Sequence, residues 1–410
     1  MSIRKRRWKG PKGEDREAWV LDYADAGGTR RLKTFARKKD ADAFAAKVAA
    51  EIRDGTHVAD SASITVREAG ELWIKKAARR VERATLVQYR QHLAIHISPF
   101  IGTVLLSRLT VPALRKFEDQ LSDAGRSSTM IRKVMISLGS ILADAQDRGE
   151  VVRNVVREKG RRAVSSRAER RQKGKLKVGV DIPTREEIKA IVDALDGRWR
   201  PVLLTATFTG MRASELRGLR WADIDLDAKR ISVRQRADRF NDIGNPKSEA
   251  GERTIPIPPI VVNMLREWRL TCPRPRIGRD ANGKPLTEEI KPEQFVFPNG
   301  LGKVETLGNI VKRGFAPTQI KAGVTIKAGT DKNGQPILAA KYGGLHCLRH
   351  WFASWCINRR EDGGLGLTPK IVQERLGHST IELTMNTYSH LFPRLDDASE
   401  LATAEAALLK

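Results

Sequence analysis

Two arginines, three histidines, a lysine and a tyrosine stand in the second half of this chain at spacings that could serve chemistry on a phosphodiester. His346, Arg349 and His350 lie in LHCLRHWFASW, three and four residues apart, so on a helix they share a face. Leu345, Leu348, Phe352 and Trp355 recur at three and four residues on another face, which makes that face core. His378 follows Gly377, Tyr388 lies in MNTYSHL, Arg212 in TGMRASEL and Lys247 in NPKSEAGERTIPIP. A phenol among guanidiniums and imidazoles is what phosphoryl chemistry on DNA needs. Each residue taken alone is equally well a surface arginine, a capping histidine or an exposed hairpin lysine. The conjunction carries the argument.

The chemistry explains the residue types. A phosphodiester is anionic and repels nucleophiles. Two guanidiniums can fork onto its non-bridging oxygens and stabilise the charge added in the transition state. A phenol of pKa about 10 is protonated at neutral pH, and cations beside it favour the phenolate. A departing alkoxide needs a proton from a positioned acid such as Lys247, a contribution of roughly 10²–10⁴-fold. Attack by a phenol would exchange one phosphoester for another of similar energy, so cut ends could be rejoined without ATP.

Composition narrows the partner. The chain has 410 residues, enough for two or three domains, and carries 75 Lys+Arg against 49 Asp+Glu, a formal net charge of +26. Such an excess repels itself unless a polyanion is present, which makes nucleic acid the leading partner. An anionic membrane comes second, but no apolar run approaches a spanning length, and the basic N-terminus lacks the apolar core of a signal peptide. Cys272, Cys347 and Cys356 form no disulfide framework or zinc spacing, and the last two read as small core residues. Gly283-Lys284 is followed by Pro, so there is no Walker-type phosphate loop, and no H-E-x-x-H is present. No nucleotide, cofactor or essential metal is expected, and the chain reads as soluble and cytoplasmic.

The elements that must position these groups fall into five segments. Residues 1–57 open with the basic run IRKRRWKG, which reads as a solvated arm suited to DNA. AWVLDYAD and RRLKTFAR follow as strands around a Gly27-Gly28 turn, and Asp40 to Ile52 has helical spacing. Residues 63–157 read as a four-helix bundle. Thr65 and Glu68 form a capping box, a second helix runs near Thr85 to Ile97, Thr110-Val-Pro112 starts a third, and Ser127 caps a fourth. Residues 158–180 are a basic strap with almost no apolar content. Residues 181–392 hold the chemistry. There Pro183-Thr184 opens one helix, Pro201 to Phe208 forms another, Gly377 ends a helix at Leu376, and Glu382 to Leu391 carries Tyr388 between the polar Asn386 and His390. Arg274 to Pro292 and Val324 to Ala340 look like insertions, the second with an Asn333-Gly334 hairpin turn. Residues 393–410 form a tail helix with Leu401, Ala404 and Leu408 at helical spacing.

TGMRASEL, the hairpin lysine, HCLRH, LGHS and the late tyrosine, in this order and at these intervals, resemble the tyrosine recombinases of the phage-integrase family. The preceding segments are similar to the arm-binding and core-binding domains of lambda-type integrases. The resemblance implies an α+β fold, mainly α, with a three-stranded N-terminal sheet plus helix, a helical core-binding bundle, and a helical catalytic domain with a small antiparallel sheet. It implies that Arg212 and Arg349 grip the scissile phosphate, that His346 assists proton transfer, that His378 hydrogen-bonds the phosphate and that Lys247 protonates the leaving 5′ oxygen. Tyr388 is then the nucleophile, forming a 3′-phosphotyrosyl link, and Glu215 supports the site. It further implies double-stranded DNA with core and arm attachment sites, a homotetramer on that DNA, integration and excision of a phage or mobile element, and help from a DNA-bending protein or directionality factor in the nucleoid of a bacterial host. Cys347 stands where the family often has Asp, Trp351 where Thr is usual, and Asn154-Val155 where Asn-Pro is frequent. None of these changes removes a catalytic atom. A type IB topoisomerase shares the chemistry but not the arm-like segment or the tail. A DNA-binding regulator that never cleaves fits the charge and the bundle but has no use for the intact set of reactive residues.

Overall fold

The computed structural model describes all residues except 12–13, 26, 54–56, 58, 60–62, 159–174, 280–284, 288, 393–397 and 410. The chain divides into two compact units, Met1–Val164 and Ser165–Lys410. Most of the basic strap at 158–180 lies outside the described residues.

The first unit begins with an antiparallel sheet of three strands, Ser2–Lys9, Asp15–Ala24 and Arg30–Phe35, with the second in the centre. The opening basic run is thus an edge strand rather than a free arm. Alternation puts Lys5 and Arg7 beside Glu17, and these ion pairs make a strand of so many cations compatible with its neighbour. Leu21 and Tyr23 of the central strand meet Val48 of the helix Lys38–Arg53 in a small core. A larger core lies within residues 63–158. Thr65 caps the helix Val66–Ala77 with the capping box expected of Thr65 and Glu68. Thr110 and Ser127 cap the helices Val111–Asp123 and Ser128–Asp147, whose Leu114, Phe117, Leu121, Val134 and Leu138 are fully buried. The second helix differs from its expected form. It is regular over Arg83–Gln91, then widens into a π-helical stretch at His92–Ile97, where the buried His92 Nδ1 lies 2.7 Å from Ser137 Oγ.

In the second unit, Thr184 and Glu187 form another capping box at the helix Arg185–Ala194. The apolar helix Arg200–Thr209 is buried along almost its whole length and stops at Gly210, whose φ of 59° is left-handed. A Cβ there would lie 2.4 Å from Phe352 Cδ1, so the close crossing of this helix with His346–Ile357 needs glycine. Strands Ile224–Asp225, Arg230–Val233 and Arg253–Pro256 form an antiparallel sheet in that order. The helices Pro369–Leu376 and Ile381–Tyr388 complete the core around Leu348, Phe352, Val372 and Leu376. Both presumed insertions contain paired strands: Arg276–Arg279 with Pro285–Thr287, and Thr325–Thr330 with Pro336–Ala340 around the expected turn at Asn333-Gly334. The tail is helical over Ala398–Leu408, and its Leu401 and Leu408 are 72% and 84% exposed. Among the described residues, no helix is long and apolar enough to cross a membrane.

Candidate active site

Two helix ends and one buried carboxylate hold the arginines. Arg212 sits at the N-terminus of the helix Ala213–Gly218, directly after the Gly210 corner. Its Nη1 donates to Glu215 Oε1 at 2.7 Å, its backbone N–H to Glu215 Oε2 at 2.9 Å, and its Nη2 to the Gly377 carbonyl at 2.9 Å. Arg349 rises from the helix His346–Ile357 into the interior. There Nη1 donates to the Gly210 carbonyl at 2.7 Å and Nη2 to the Leu376 carbonyl at 2.6 Å. Burial, with the Arg212 charge beside it, pushes Arg349 down to about 9, so it remains a cation at neutral pH.

Glu215 is 2% exposed and also accepts from Arg253 Nη2 at 2.8 Å. Burial alone would raise its carboxyl, but the charges of Arg253 and Arg212 outweigh that and hold it below the usual range. Arg212 and Arg253 therefore share one carboxylate while Arg349 is held by neutral carbonyls, and the cluster retains positive charge that an anion can neutralise. Arg253 is a residue that the sequence reading missed. Its Nε donates to the Arg375 carbonyl at 2.8 Å, so it ties the sheet to the helix that delivers His378.

His378 leaves the left-handed Gly377 corner and is buried. Its Nδ1 lies 2.9 Å from Thr384 Oγ1, and its backbone carbonyl accepts from Gln373 Nε2 at 3.0 Å. Burial and the charges of Arg349, Arg212 and Arg253 push its imidazole down to about 3, so it is neutral at pH 7. Tyr388 ends its helix and is the largest fully buried side chain among the described residues. Its neighbours are not the Asn386 and His390 expected from sequence. Its hydroxyl lies 2.8 Å from His350 Nδ1, and its ring stacks on His378 with centroids 6.3 Å apart, while His390 turns to the Leu176 carbonyl. Burial pushes the phenol up to about 12, against the opposing Arg349 charge.

The shared face of His346, Arg349 and His350 is divided by depth. Arg349 is buried, His350 half-buried and His346 exposed. Lys247 is not brought into this cluster. It is exposed in the connection between Ile243–Gly244 and the turn Glu249–Gly251, with no ion pair among the described residues. Cys347 and Cys356 are buried, as their small-core reading expects, and burial pushes both thiols up to about 12. No group of three or more metal-ligating side chains occurs among the described residues.

Residues 183–394 match the family model described as the phage integrase family. A tyrosine recombinase XerC-like protein of Caldanaerobacter subterraneus subsp. tengcongensis is 28% identical over 373 residues, 87% of this chain and 87% of its own. The integrase of Mycobacterium phage L5 is 25% identical over 390 residues, 92% of this chain and 89% of its own. Among solved structures, the Tn1549 transposon integrase in complex with circular intermediate DNA has a TM-score of 0.53 at 19% identity, covering 85% of this chain and all of that one. A lambda integrase dimer bound to a COC′ core site has a TM-score of 0.52 at 16% identity, covering 94% of each chain. At these identities the structural likeness speaks for the fold.

Proposed function

The chain belongs to the phage integrase family and is a tyrosine recombinase, an enzyme of site-specific DNA cleavage and rejoining, and from that premise we propose which residues carry the reaction. Arg212 and Arg349 grip the scissile phosphate of double-stranded DNA. Their anchored N–H groups leave other donors of each fork for the non-bridging oxygens. His378 hydrogen-bonds the same phosphate. In this role the Nδ1 beside the Thr384 hydroxyl is the acceptor and Nε2 carries the proton that a neutral imidazole offers to an oxygen. Glu215 fixes the orientation of Arg212. His346, exposed at the helix start, assists proton transfer. Tyr388 attacks phosphorus and forms the 3′-phosphotyrosyl link. Lys247 protonates the departing 5′ oxygen, and its exposed loop must close on the bound DNA to do so.

The observation that carries this reading is a buried phenol in a site where three guanidiniums are set against one carboxylate. A free phenolate there costs free energy, so loss of the proton is tied to attack on a correctly bound phosphate. The wider reading is a homotetramer that integrates and excises a phage or mobile element in the cytoplasm of a bacterial host. Residues 1–57 bind arm sites, 63–157 bind the core site, and 181–392 carry out the chemistry. An accessory bending or directionality protein completes that assembly.

The test is covalent capture. Wild type and Tyr388→Phe are incubated with fragments of host and element DNA, denatured, and the attached DNA is sequenced. Adducts only with wild type, at one repeated sequence, are expected. Adducts persisting in Tyr388→Phe would remove the nucleophile assignment, and scattered Tyr388-dependent adducts would favour a topoisomerase.

A further inference from the structure

The helix His346–Ile357 carries two imidazoles one turn apart, and together they join a buried phenol to the surface. The hydrogen bond between Tyr388 Oη and His350 Nδ1, at 2.8 Å, is the one that this phenol makes among the described residues. The His350 ring meets the His346 ring edge-on at 4.5 Å, and His346 is exposed. We propose that His350 is the base that takes the phenol proton as Tyr388 attacks phosphorus, and that His346 passes the proton on to solvent. This inference rests on Tyr388 being the nucleophile.

The step balances. The Tyr388 Oη–H bond breaks and its proton goes to His350 Nδ1. The Oη–P bond forms, the P–O5′ bond breaks, and the leaving oxygen takes its proton from Lys247. On rejoining, the 5′ hydroxyl gives its proton to Lys247 as it attacks phosphorus, the Oη–P bond breaks, and His350, protonated again through His346, returns a proton to the departing phenolate, as microscopic reversibility requires.

Several features favour His350 over other bases. His378 also neighbours Tyr388, but it stacks parallel to the ring, at 6°, and its Nδ1 is engaged by Thr384. The groups facing His350 are His346 and Arg349 from its own helix, Asp181 from the segment before Arg185–Ala194, and Tyr388 from Ile381–Tyr388. Burial, then His346 and Arg349, pushes His350 down to about 4 against the opposing Asp181. It is therefore neutral at pH 7 with a nitrogen free to accept. A phosphate anion bound by the arginines adds negative charge nearby and raises that value towards the range that suits a base. Phosphorus bonding to Oη meanwhile lowers the proton affinity of the phenol, so transfer becomes favourable as the bond forms.

His350→Asn separates this role from packing. Its amide places a hydrogen-bonding group near the Nδ1 position but cannot hold a proton. Wild type and His350→Asn are compared in single turnover on duplexes that wild type captures covalently from a random-sequence library. Unchanged DNA affinity is expected, with an adduct rate at pH 7 lower by roughly 10²–10⁴-fold. The variant should regain about tenfold per pH unit towards pH 9 as hydroxide takes over, while the wild-type rate stays level. A wild-type rate and profile in His350→Asn would reduce His350 to packing. A faster variant would make it a latch that restrains the tyrosine. Either result overturns the proposal while leaving Tyr388 as nucleophile, whereas adducts in Tyr388→Phe would remove the underlying reading. A second measurement needs no DNA. Imidazole ¹⁵N NMR of the whole protein, assigned by the signal lost in His350→Asn, should show Nδ1 unprotonated and Nε2 carrying the proton. A proton on Nδ1 would mean that His350 donates to the phenol, and the proposal fails.

Discussion

Glu215→Ala removes the one carboxylate from the arginine cluster, and the structure fixes what that should cost. Glu215 accepts from Arg212 Nη1, the Arg212 backbone N–H and Arg253 Nη2 at 2.7, 2.9 and 2.8 Å. Arg253, whose side chain is 6% exposed, would be left as a buried cation without a counter-charge. Breaking a buried ion pair from one side typically costs about 3–5 kcal/mol. Arg253 keeps its bonds to the Arg375 and Gly251 carbonyls, so the lower end, about 3 kcal/mol, is expected. For a unit of this size that lowers the melting temperature by roughly 6–12 °C. The pH dependence supplies a second check. The carboxyl is held below its usual value in the folded state, so its stabilising contribution is fully present above the unfolded value of about 4.3 and is lost as pH falls through the lower folded value. Thermal unfolding of wild type and Glu215→Ala, followed from pH 7 to pH 3, should show a large gap at neutral pH that narrows in acid. A variant within about 1 kcal/mol of wild type at pH 7, or a gap that stays constant into acid, would refute the reasoning.

The other predictions address separate parts of the site. Arg212→Ala should nearly stop adduct formation while sparing fold and DNA binding; cleavage at the wild-type rate would remove its role at the phosphate. Gly377→Ala puts a Cβ 2.8 Å from the Ala250 carbonyl oxygen at a φ of 65°, so it should cost at least about 1–2 kcal/mol and slow cleavage by displacing His378. An unchanged adduct rate would show that the corner does not position that imidazole. Deleting residues 1–57 should spare cleavage at a core site yet impair integration, and equal recombination by the truncated protein would refute arm binding by that segment.

The parts of this fold that were legible in the sequence are those governed by local chemistry. Thr65, Thr184, Thr110 and Ser127 each accept from a backbone N–H within their own first turn, so their spacing sufficed. The opening strand was not legible, because a run of cations becomes a strand only when Glu17 and Asp22 of its neighbour lie opposite. For the same reason Arg253 was passed over, and His350 was placed on the shared face but given no role. Arg253 is one more basic residue in a basic chain until its strand brings it to Glu215, 38 positions earlier. His350 shares a face with His346 in any helical projection, but nothing in its own helix says that Tyr388, 38 positions later, delivers a hydroxyl to it. Periodicity assigns a face; only tertiary packing assigns a partner.

The two glycine corners show how sequence motif and charge arrangement are the same fact. Gly210 and Gly377 each end a helix in the left-handed conformation, which leaves the last carbonyls of those helices without intrahelical partners. A helix C-terminus carries partial negative charge and attracts cations. Arg349 bridges both ends, through the Gly210 and Leu376 carbonyls, and Arg212 takes the Gly377 carbonyl. Neutral carbonyls position a guanidinium without cancelling its charge. A carboxylate in each of those places would have oriented the forks equally well and left no attraction for a phosphate. Only Glu215 is spent in that way, and it is shared between Arg212 and Arg253. The glycine in TGMR and the glycine in LGHS therefore do more than turn the chain. They expose the carbonyls that hold two arginines in place and still cationic, and they set His378 and Arg212 at the openings of the same two corners.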